Sequence, residues 1–381
     1  MKPAVVRAGL GQNGPSYVYD LAHLRGVARR LQALPIPNKR VFFATMANDH
    51  PAILQCIREQ SIGAFVNSPS HLDVALGCGF PPTEIVYASS NLSTDEMRYC
   101  VELGVSLVLD SIGQIEMLGE VAPRGIGVGL RVNVGSALDR SALRVDPEYR
   151  FGLVADELPL ALETARRHGI SLIGAHSYFG TRILHANLLL AGLERLADVA
   201  VAALPDLEYI DVGGGFGIPD DGETDEFDLD AWASGAAEIL ARIERRTPRT
   251  IALYLEPGRY LTAGCGTFFV QVVDCKPRAD RVFVGTNGSV AIFPRPLLHG
   301  GDARHPCRLI EGGDRPIHPL PLYICGNSTY SQDFLGREVR LPLPRRGDML
   351  AFLHAGAYGR SMISSFLGKD RPVEIVLEES A

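Results

Sequence analysis

The chain has 381 residues, 46% of them hydrophobic and 21% charged, with 40 Gly, 25 Pro, 7 Cys and a formal net charge of −7. That composition excludes a disordered chain, a collagen-like chain and a small disulfide-stapled module, and at ~100–200 residues per domain it leaves room for two or three domains. Scattered net acidity argues against duplex nucleic acid or an anionic membrane face as the partner, which leaves a small molecule.

The opening MKPAVVRAGLGQNG lacks the apolar core of a signal peptide, and the residues up to Tyr19 read as β-like. The most apolar helical stretch, 186–204, is interrupted by Glu194, Arg195 and Asp198, so no membrane span and a cytoplasmic location are expected. Cysteines at 56, 78, 100, 265, 275, 307 and 325 form no CxxC pair and sit in apolar or mixed surroundings. They read as reduced, buried thiols, and no metal site is expected.

Eight short apolar, β-branched runs follow a helix at about 21–34: VFFAT (41–45), GAFVN (63–67), IVYAS (85–89), SLVLD (106–110), GVGLRVN (127–133), LIGAHSY (172–178), YIDVGGG (209–215) and IALYLEPG (251–258). Helical periodicity lies between them, as at 51–60, 95–103, 155–168, 188–203 and 229–245. Eight strands alternating with helices predict a closed parallel (β/α)8 TIM-like barrel over 20–258. After Gly258 the texture changes to strand-like runs broken by Gly and Pro, such as TFFVQVVDC (267–275) and DMLAFL (348–353). A β domain is predicted there, made of 259–381 with 1–19.

In such a barrel the chemistry sits at the carboxyl ends of the strands. The residues there are Met46-Ala47-Asn48, Ser68, Arg131 and Asn133, His176 and Tyr178, Gly213-Gly214-Gly215, and Glu256 through Arg259. Consecutive glycines after strand seven let backbone N–H groups approach an anion, and Arg259 adds a cation one loop away, although GGGFG also suits a tight structural turn. Glu256 could hold a protonated ring nitrogen or pair with Arg259 or Arg131. His176 and Tyr178 share one face of a strand, where a histidine serves either as a catalyst or as a satisfied core residue.

Taken in order, these motifs resemble the fold type III pyridoxal-phosphate decarboxylases, the group that acts on ornithine, arginine and diaminopimelate. The resemblance rests on PSYVYD (15–20), FATMAN (43–48), RFG (150–152), HSYFGT (176–181), DVGGGFG (211–217), EPGR (256–259), GNSTYSQD (326–333) and GDMLAFLHAGAYGRSMISSFLG (347–368). It implies an alanine racemase/ornithine decarboxylase-like fold, in which a barrel binds pyridoxal 5'-phosphate beside a C-terminal β domain. It also implies a homodimer with composite active sites and a small amino-acid-type substrate. Phosphate would be held by Thr181, Gly213, Gly214, Gly215, Arg259 and Tyr358, the ring nitrogen by Glu256, and the pocket would be supported by Arg131. FPRPLLH (293–299) is similar to the segment that supplies an arginine to the substrate carboxylate, which makes Arg295 a substrate candidate with Tyr330 and Asp333.

The sequence departs from that family where the family does its proton and amine chemistry. Met46 stands where the family has the lysine that binds the cofactor covalently, and a thioether cannot make that bond. The chain holds only Lys2, Lys39, Lys276 and Lys369, and Lys39 lies at the opposite end of its strand, about 20 Å away at ~3.3 Å per residue. Tyr178 replaces a stacking histidine, Thr329 a cysteine, Tyr330 an acidic residue and His71 a glutamate. Candidate proton carriers are His176, His71, Tyr178 and Tyr358. Three readings follow: a decarboxylase-like lyase that holds its cofactor non-covalently, a non-catalytic homologue that binds or regulates, and an ordinary decarboxylase inactivated by a lysine-to-methionine change. The last would leave the other four replacements unexplained.

Overall fold

A computed structural model describes residues 1–134, 150–219, 226–298, 304–312 and 315–378. The chain enters with a helix at Pro3–Leu10, then strand β1 (Ser16–Asp20) and a helix at Leu21–Gln32. It divides into two compact units, one of Ala28–Ile218 with Glu226–Gly258, the other of Met1–Val27, Pro219–Asp225 and Arg259–Ala381.

The first unit is the expected barrel. Strands β2 (Lys39–Ala44), β3 (Gly63–Val66), β4 (Ile85–Ala88), β5 (Ser106–Leu109), β6 (Gly127–Arg131), β7 (Ser171–His176), β8 (Tyr209–Asp211) and β9 (Ala252–Leu255) pair in parallel, and β2 closes on β9 with Lys39 opposite Leu253. Each strand falls within or beside one apolar run of the sequence, because a strand covered on both faces needs a continuous hydrophobic stretch. The intervening helices include Pro51–Arg58, Thr94–Leu103, Leu158–His168, Ala186–Ala203 and Leu229–Glu244. Short polar side chains start several helices of this unit: Ser68, Ser93, Ser111 and Asp228 each accept a backbone N–H of the first turn. Ser68, a strand-end candidate on sequence grounds, thus serves as a helix cap.

Side chains of alternate residues fill the barrel axis. Phe42, Ala44, Phe65, Val86, Ala88 and Val108 form one apolar cluster, with Met46 and Tyr254 packed against it. Tyr209 stacks on Tyr254 at 4.3 Å, and two glycines on neighbouring strands make its room: a Cβ on Gly174 would lie 2.0 Å from the Tyr209 ring, and one on Gly129 would lie 2.2 Å from its hydroxyl. Gly174→Ala is therefore expected to destabilise the protein by ~1–3 kcal/mol, the cost of overpacking a filled core. A thermal melt showing an unchanged midpoint would contradict this account of the barrel interior.

The second unit is built on an eight-stranded sheet. Strands β10 (Gly266–Pro277), β11 (Val282–Thr286), β12 (Cys307–Leu309), β13 (Leu322–Cys325), β14 (Phe334–Val339) and β15 (Met349–Phe352) lie in the order β12-β15-β10-β11-β13-β14, while β1 pairs with β10 and with β16 (Val373–Leu377). Pairing of the amino-terminal strand with the carboxy-terminal β elements meets the expectation. The β-like reading of the residues before it does not hold over Pro3–Leu10, which is helical. Pro3 occupies the first turn, where its missing N–H costs nothing, and Val5 and Gly9, four apart, form the buried face. A Cβ on Gly9 would lie 2.6 Å from Phe269 of β10, so the helix seats its backbone directly on the sheet.

All seven cysteines are free thiols, four of them buried. Among the described residues no helix is long and apolar enough to cross a membrane.

Candidate active site

At the carboxyl end of the barrel four adjacent strands contribute one polar residue each. In the β6–β7–β8 ladder Arg131 is opposite His176 and His176 opposite Asp211, and Glu256 follows directly after β9. Ligand atoms of His176, Asp211 and Glu256 all lie within 4.8 Å of one another, and the three side chains are fully buried. The His176 Nε2 approaches a Glu256 carboxylate oxygen to 3.4 Å, and its ring stacks on Phe65 at 6.1 Å.

Burial dominates the ionisation of this layer. It pushes the Glu256 carboxyl up to about 8, against the pull of the Asp211 hydrogen bond and of Arg131. It raises Asp211 well above the usual carboxylate range, and the neighbouring Glu256 charge raises it further. Two carboxyls so close and so dry cannot both ionise, so the pair retains a proton near neutrality. Burial also lowers His176 to about 4, leaving the imidazole neutral at physiological pH. In the ligand-free protein His176 is thus a neutral imidazole near neutral pH. A cation could be ligated by such a cluster, but the Arg131 charge already acts on both His176 and Glu256 and would repel it.

The glycine loop packs against this layer. Gly213 and Gly215 have φ of 63° and 93°, in the left-handed region. A Cβ would lie 2.9 Å from the Ser177 carbonyl oxygen at Gly213, 2.7 Å from that of Glu256 at Gly214, and 2.6 Å from that of Gly180 at Gly215. Backbone packing alone thus requires glycine at these positions, which answers the tight-turn reading; the same bareness exposes peptide groups to an anion. The Tyr178 ring borders the loop, Thr181 is exposed just beyond Gly180, and the Ile183 N–H donates to the Gly215 carbonyl at 2.9 Å. RFG also has a local cause: the Gly152 N–H donates to Asp110 at 2.7 Å, and the Arg131 and Arg150 guanidiniums each lie over the Phe151 ring, at 4.6 and 4.0 Å.

Met46 occupies a single 3-10 turn, Thr45–Ala47, immediately after β2. Partly buried, it packs against the apolar cluster of Phe42, Ala44, Phe65, Val86, Ala88 and Val108. Lys39, the remaining lysine of this unit, donates to the Gln32 and Leu34 carbonyls at 2.7 and 2.9 Å, at the opposite end of β2. His71 lies in the first turn of the helix Pro69–Gly77, with Nδ1 2.9 Å from Asn67 Oδ1.

In the other unit the Arg259 guanidinium lies 4.7 Å over the Tyr358 ring, and Tyr358 has φ of 56°. Burial raises the Tyr358 hydroxyl above its ordinary range, which weakens it as a proton donor. Arg295 is buried; its guanidinium donates to the Arg304 carbonyl at 3.3 Å and approaches His305 Nε2 at 2.9 Å. His299 of the same sequence motif lies outside the described residues. Asp333 accepts from Val290 N–H at 2.8 Å, Ser289 Oγ at 3.4 Å and Ser328 Oγ at 2.5 Å, so it pins its own loop. Its oxygens are committed there, which gives a structural task to a residue expected at the substrate. Thr329 is exposed, and Tyr330 meets Phe366 edge-on at 5.4 Å.

Residues 23–263 match the family described as pyridoxal-dependent decarboxylase, pyridoxal binding domain. The chain belongs to that family. Diaminopimelate decarboxylase of Methanothermobacter thermautotrophicus is 30% identical over 376 residues, covering 96% of this chain and 87% of the relative. The enzyme of the same name from Thermoplasma acidophilum is 29% identical over 372 residues, covering 96% and 88%. Among solved structures, diaminopimelate decarboxylase from M. jannaschii in complex with L-lysine aligns with a TM-score of 0.90 at 21% identity over 98% of this chain and 89% of that one. The Helicobacter pylori enzyme of the same name with L-lysine gives 0.86 at 23%, over 98% and 93%. The barrel and its accompanying β domain are the fold of these pyridoxal-dependent decarboxylases.

Pyridoxal phosphate is the cofactor of this family, and the residues present fit it in part. Glu256 Oε1 is buried with no hydrogen-bond partner, which suits a donor brought by a ligand ring. The bare glycine loop suits a phosphate. Met46, in the turn after β2, offers a thioether and no amine for a covalent bond. The residue most easily overlooked from sequence is Asp211: two positions before Gly213 it reads as the end of an apolar strand, and only its alternation with the inward Tyr209 hints that it faces the axis.

Proposed function

We propose that this chain is a pyridoxal-phosphate-dependent amino-acid decarboxylase that grips its cofactor without a covalent bond. The observation that carries the reading is the buried, unpartnered Glu256 oxygen at the mouth of a barrel whose lysine position is methionine. Bound pyridoxal phosphate supplies an electron sink for loss of an α-carboxylate. Glu256, as an anion, holds a proton at the ring nitrogen. Backbone N–H groups of Gly213–Gly215, with Thr181 and with Arg259 three residues after Glu256, take the phosphate. The Tyr178 ring borders that loop and presents a flat face for stacking. Met46, Phe65 and Ala88 keep water from this end of the barrel, which strengthens every charge interaction in it. Arg295 is the arginine offered to a substrate carboxylate.

An α-amino acid is the substrate class, and diaminopimelate, named for the relatives, is the first to test. Tyr330 against Phe366 offers an aromatic surface where the family pattern has an acid, so a distal ammonium would lack its counter-charge. The family resemblance supports a homodimer, and seven free thiols are consistent with a reducing compartment.

Absorbance titration with pyridoxal phosphate tests the grip. Arg259→Ala is expected to weaken binding tenfold to a hundredfold, since a hydrogen bond to a charged group contributes ~1.5–3 kcal/mol. Equal affinity for both proteins would remove Arg259 from the phosphate site. A bound cofactor with no turnover of any amino acid would favour the non-catalytic homologue.

A further inference from the structure

Asp211 faces two ways. Its Oδ1 accepts the Gly213 N–H at 2.9 Å, while Oδ2 is buried, receives no N–H or O–H donor, and lies in the cluster with Glu256 and His176, whose ligand atoms are within 4.8 Å of one another. The opposite side of Gly213 is fixed by the strand that leads to Glu256, whose N–H donates to the Gly213 carbonyl at 2.8 Å. The Ser177 N–H in turn donates to the Asp211 carbonyl at 2.9 Å. One glycine peptide is therefore bracketed by a carboxyl on one side and by the strand bearing the second carboxyl on the other.

We propose that Asp211 is a positioning residue that acts as a neutral acid, fixing the glycine loop with its carbonyl oxygen and donating its proton to Glu256 with its hydroxyl. The assignment rests on the cofactor reading above. With the cofactor bound it leaves Glu256 as the anion of the pair, with Oε1 open to a ring nitrogen's proton, and it ties the geometry of the phosphate loop to the charge of that carboxylate. The direction of the hydrogen bond agrees with the way each carboxyl perturbs the other: Glu256 raises Asp211, while Asp211 lowers Glu256. The groups set against Asp211 from the neighbouring strands are His176, neutral, Tyr254 and Glu256, with Tyr209 two residues earlier on its own strand; Arg131, the positive charge of the layer, acts on His176 and Glu256. An aspartate anion here would place two negative charges beside one another in a dry layer, and a neutral acid avoids it.

Asn is the isostere of a neutral aspartic acid: its oxygen can accept from Gly213, and its NH2 can donate to Glu256. Asp211→Ala removes both bonds. Full-length protein would be titrated with pyridoxal phosphate, following absorbance from pH 6 to 10, alongside thermal melts. D211A is expected to bind at least tenfold more weakly, and D211N to recover affinity to within about threefold of the unmodified protein. Above the upper ionisation of the pair the unmodified protein loses affinity as Asp211 gives up its proton, and D211N does not; ionisations of the ligand itself are common to both. Should D211A fail to fold, the pH comparison with D211N decides. Absence of binding by the unmodified protein overturns the cofactor reading and this one with it. Binding by the unmodified protein, with D211A equally tight, D211N as weak as D211A, or identical pH profiles, overturns the role of Asp211 alone.

Discussion

Met46→Lys is expected to convert a protein that releases its cofactor on denaturation into one that keeps it once the C=N bond is reduced. Borohydride treatment of the loaded variant should add a single phosphopyridoxyl mass, trapped on the peptide containing residue 46, while the unmodified chain gains none. The physical ground is the placement of residue 46 in the turn after β2, packed against the apolar cluster that fills this part of the barrel. An amine in such apolar surroundings is desolvated, so its pKa falls and more of it is the unprotonated nucleophile near neutral pH. The same desolvation costs stability, about 1–3 kcal/mol for a polar group buried with few partners. A covalent adduct in the unmodified protein would instead mean that one of the four lysines reaches the cofactor. That result would overturn the non-covalent reading, because Lys39 is held at the far end of its strand. Turnover of diaminopimelate by M46K with none by the unmodified chain would identify an ordinary decarboxylase disabled at one position.

Glu256→Gln should separate function from stability. In cofactor-free protein Glu256 titrates at about 8 rather than at its ordinary 4.5. A carboxyl whose folded-state value is raised stabilises the fold below its ordinary value and loses that contribution as pH rises through the folded value. The window therefore runs from about pH 4.5 to 8, and the loss amounts to several kcal/mol, at 1.36 kcal/mol per unit for a fully buried group. E256Q removes the ionisation, so its melting temperature should match the unmodified protein near pH 5 and exceed it at pH 9 by roughly 5 °C or more. With pyridoxal phosphate present the order should reverse, since only the carboxylate pairs with a protonated ring nitrogen. A melting difference independent of pH would show that Glu256 is already ionised and paired in the empty protein. On the acid side His176 behaves oppositely. Its value is lowered from 6.5 to about 4, so its contribution is present above pH 6.5 and is lost as pH falls toward 4.

The barrel could be read in the sequence because every strand is buried on both faces and so announces itself as a short apolar run; VFFA and IVYA leave little alternative. The strand-end rule then directed attention to Glu256, the glycines and Met46 without any structure. The helix at Pro3–Leu10 was missed because eight residues with two valines carry little periodic signal, and its stability comes from seating Gly9 on Phe269. Asp211 was missed because its role depends on a carboxyl forty-five positions later in the chain, which spacing cannot reveal. Asp333 shows the other limit: a motif places a residue near a reaction, but only the structure shows that it also accepts from Val290 N–H and Ser328 Oγ within its own unit.

The Tyr209–Tyr254 stack gives the barrel a stopper. Phe42 lies 5.1 Å from Tyr254, and the Arg40 guanidinium covers both rings at 5.0 and 5.5 Å, so aromatic surface and a cation close the axis on the side away from Glu256. The acid layer lies at the other end, where, among the described residues, the glycine loop follows β8 and Met46 follows β2. A ligand seated at that mouth would lie between the Asp211–Glu256 pair and solvent, slowing any change in the charge state with which it bound.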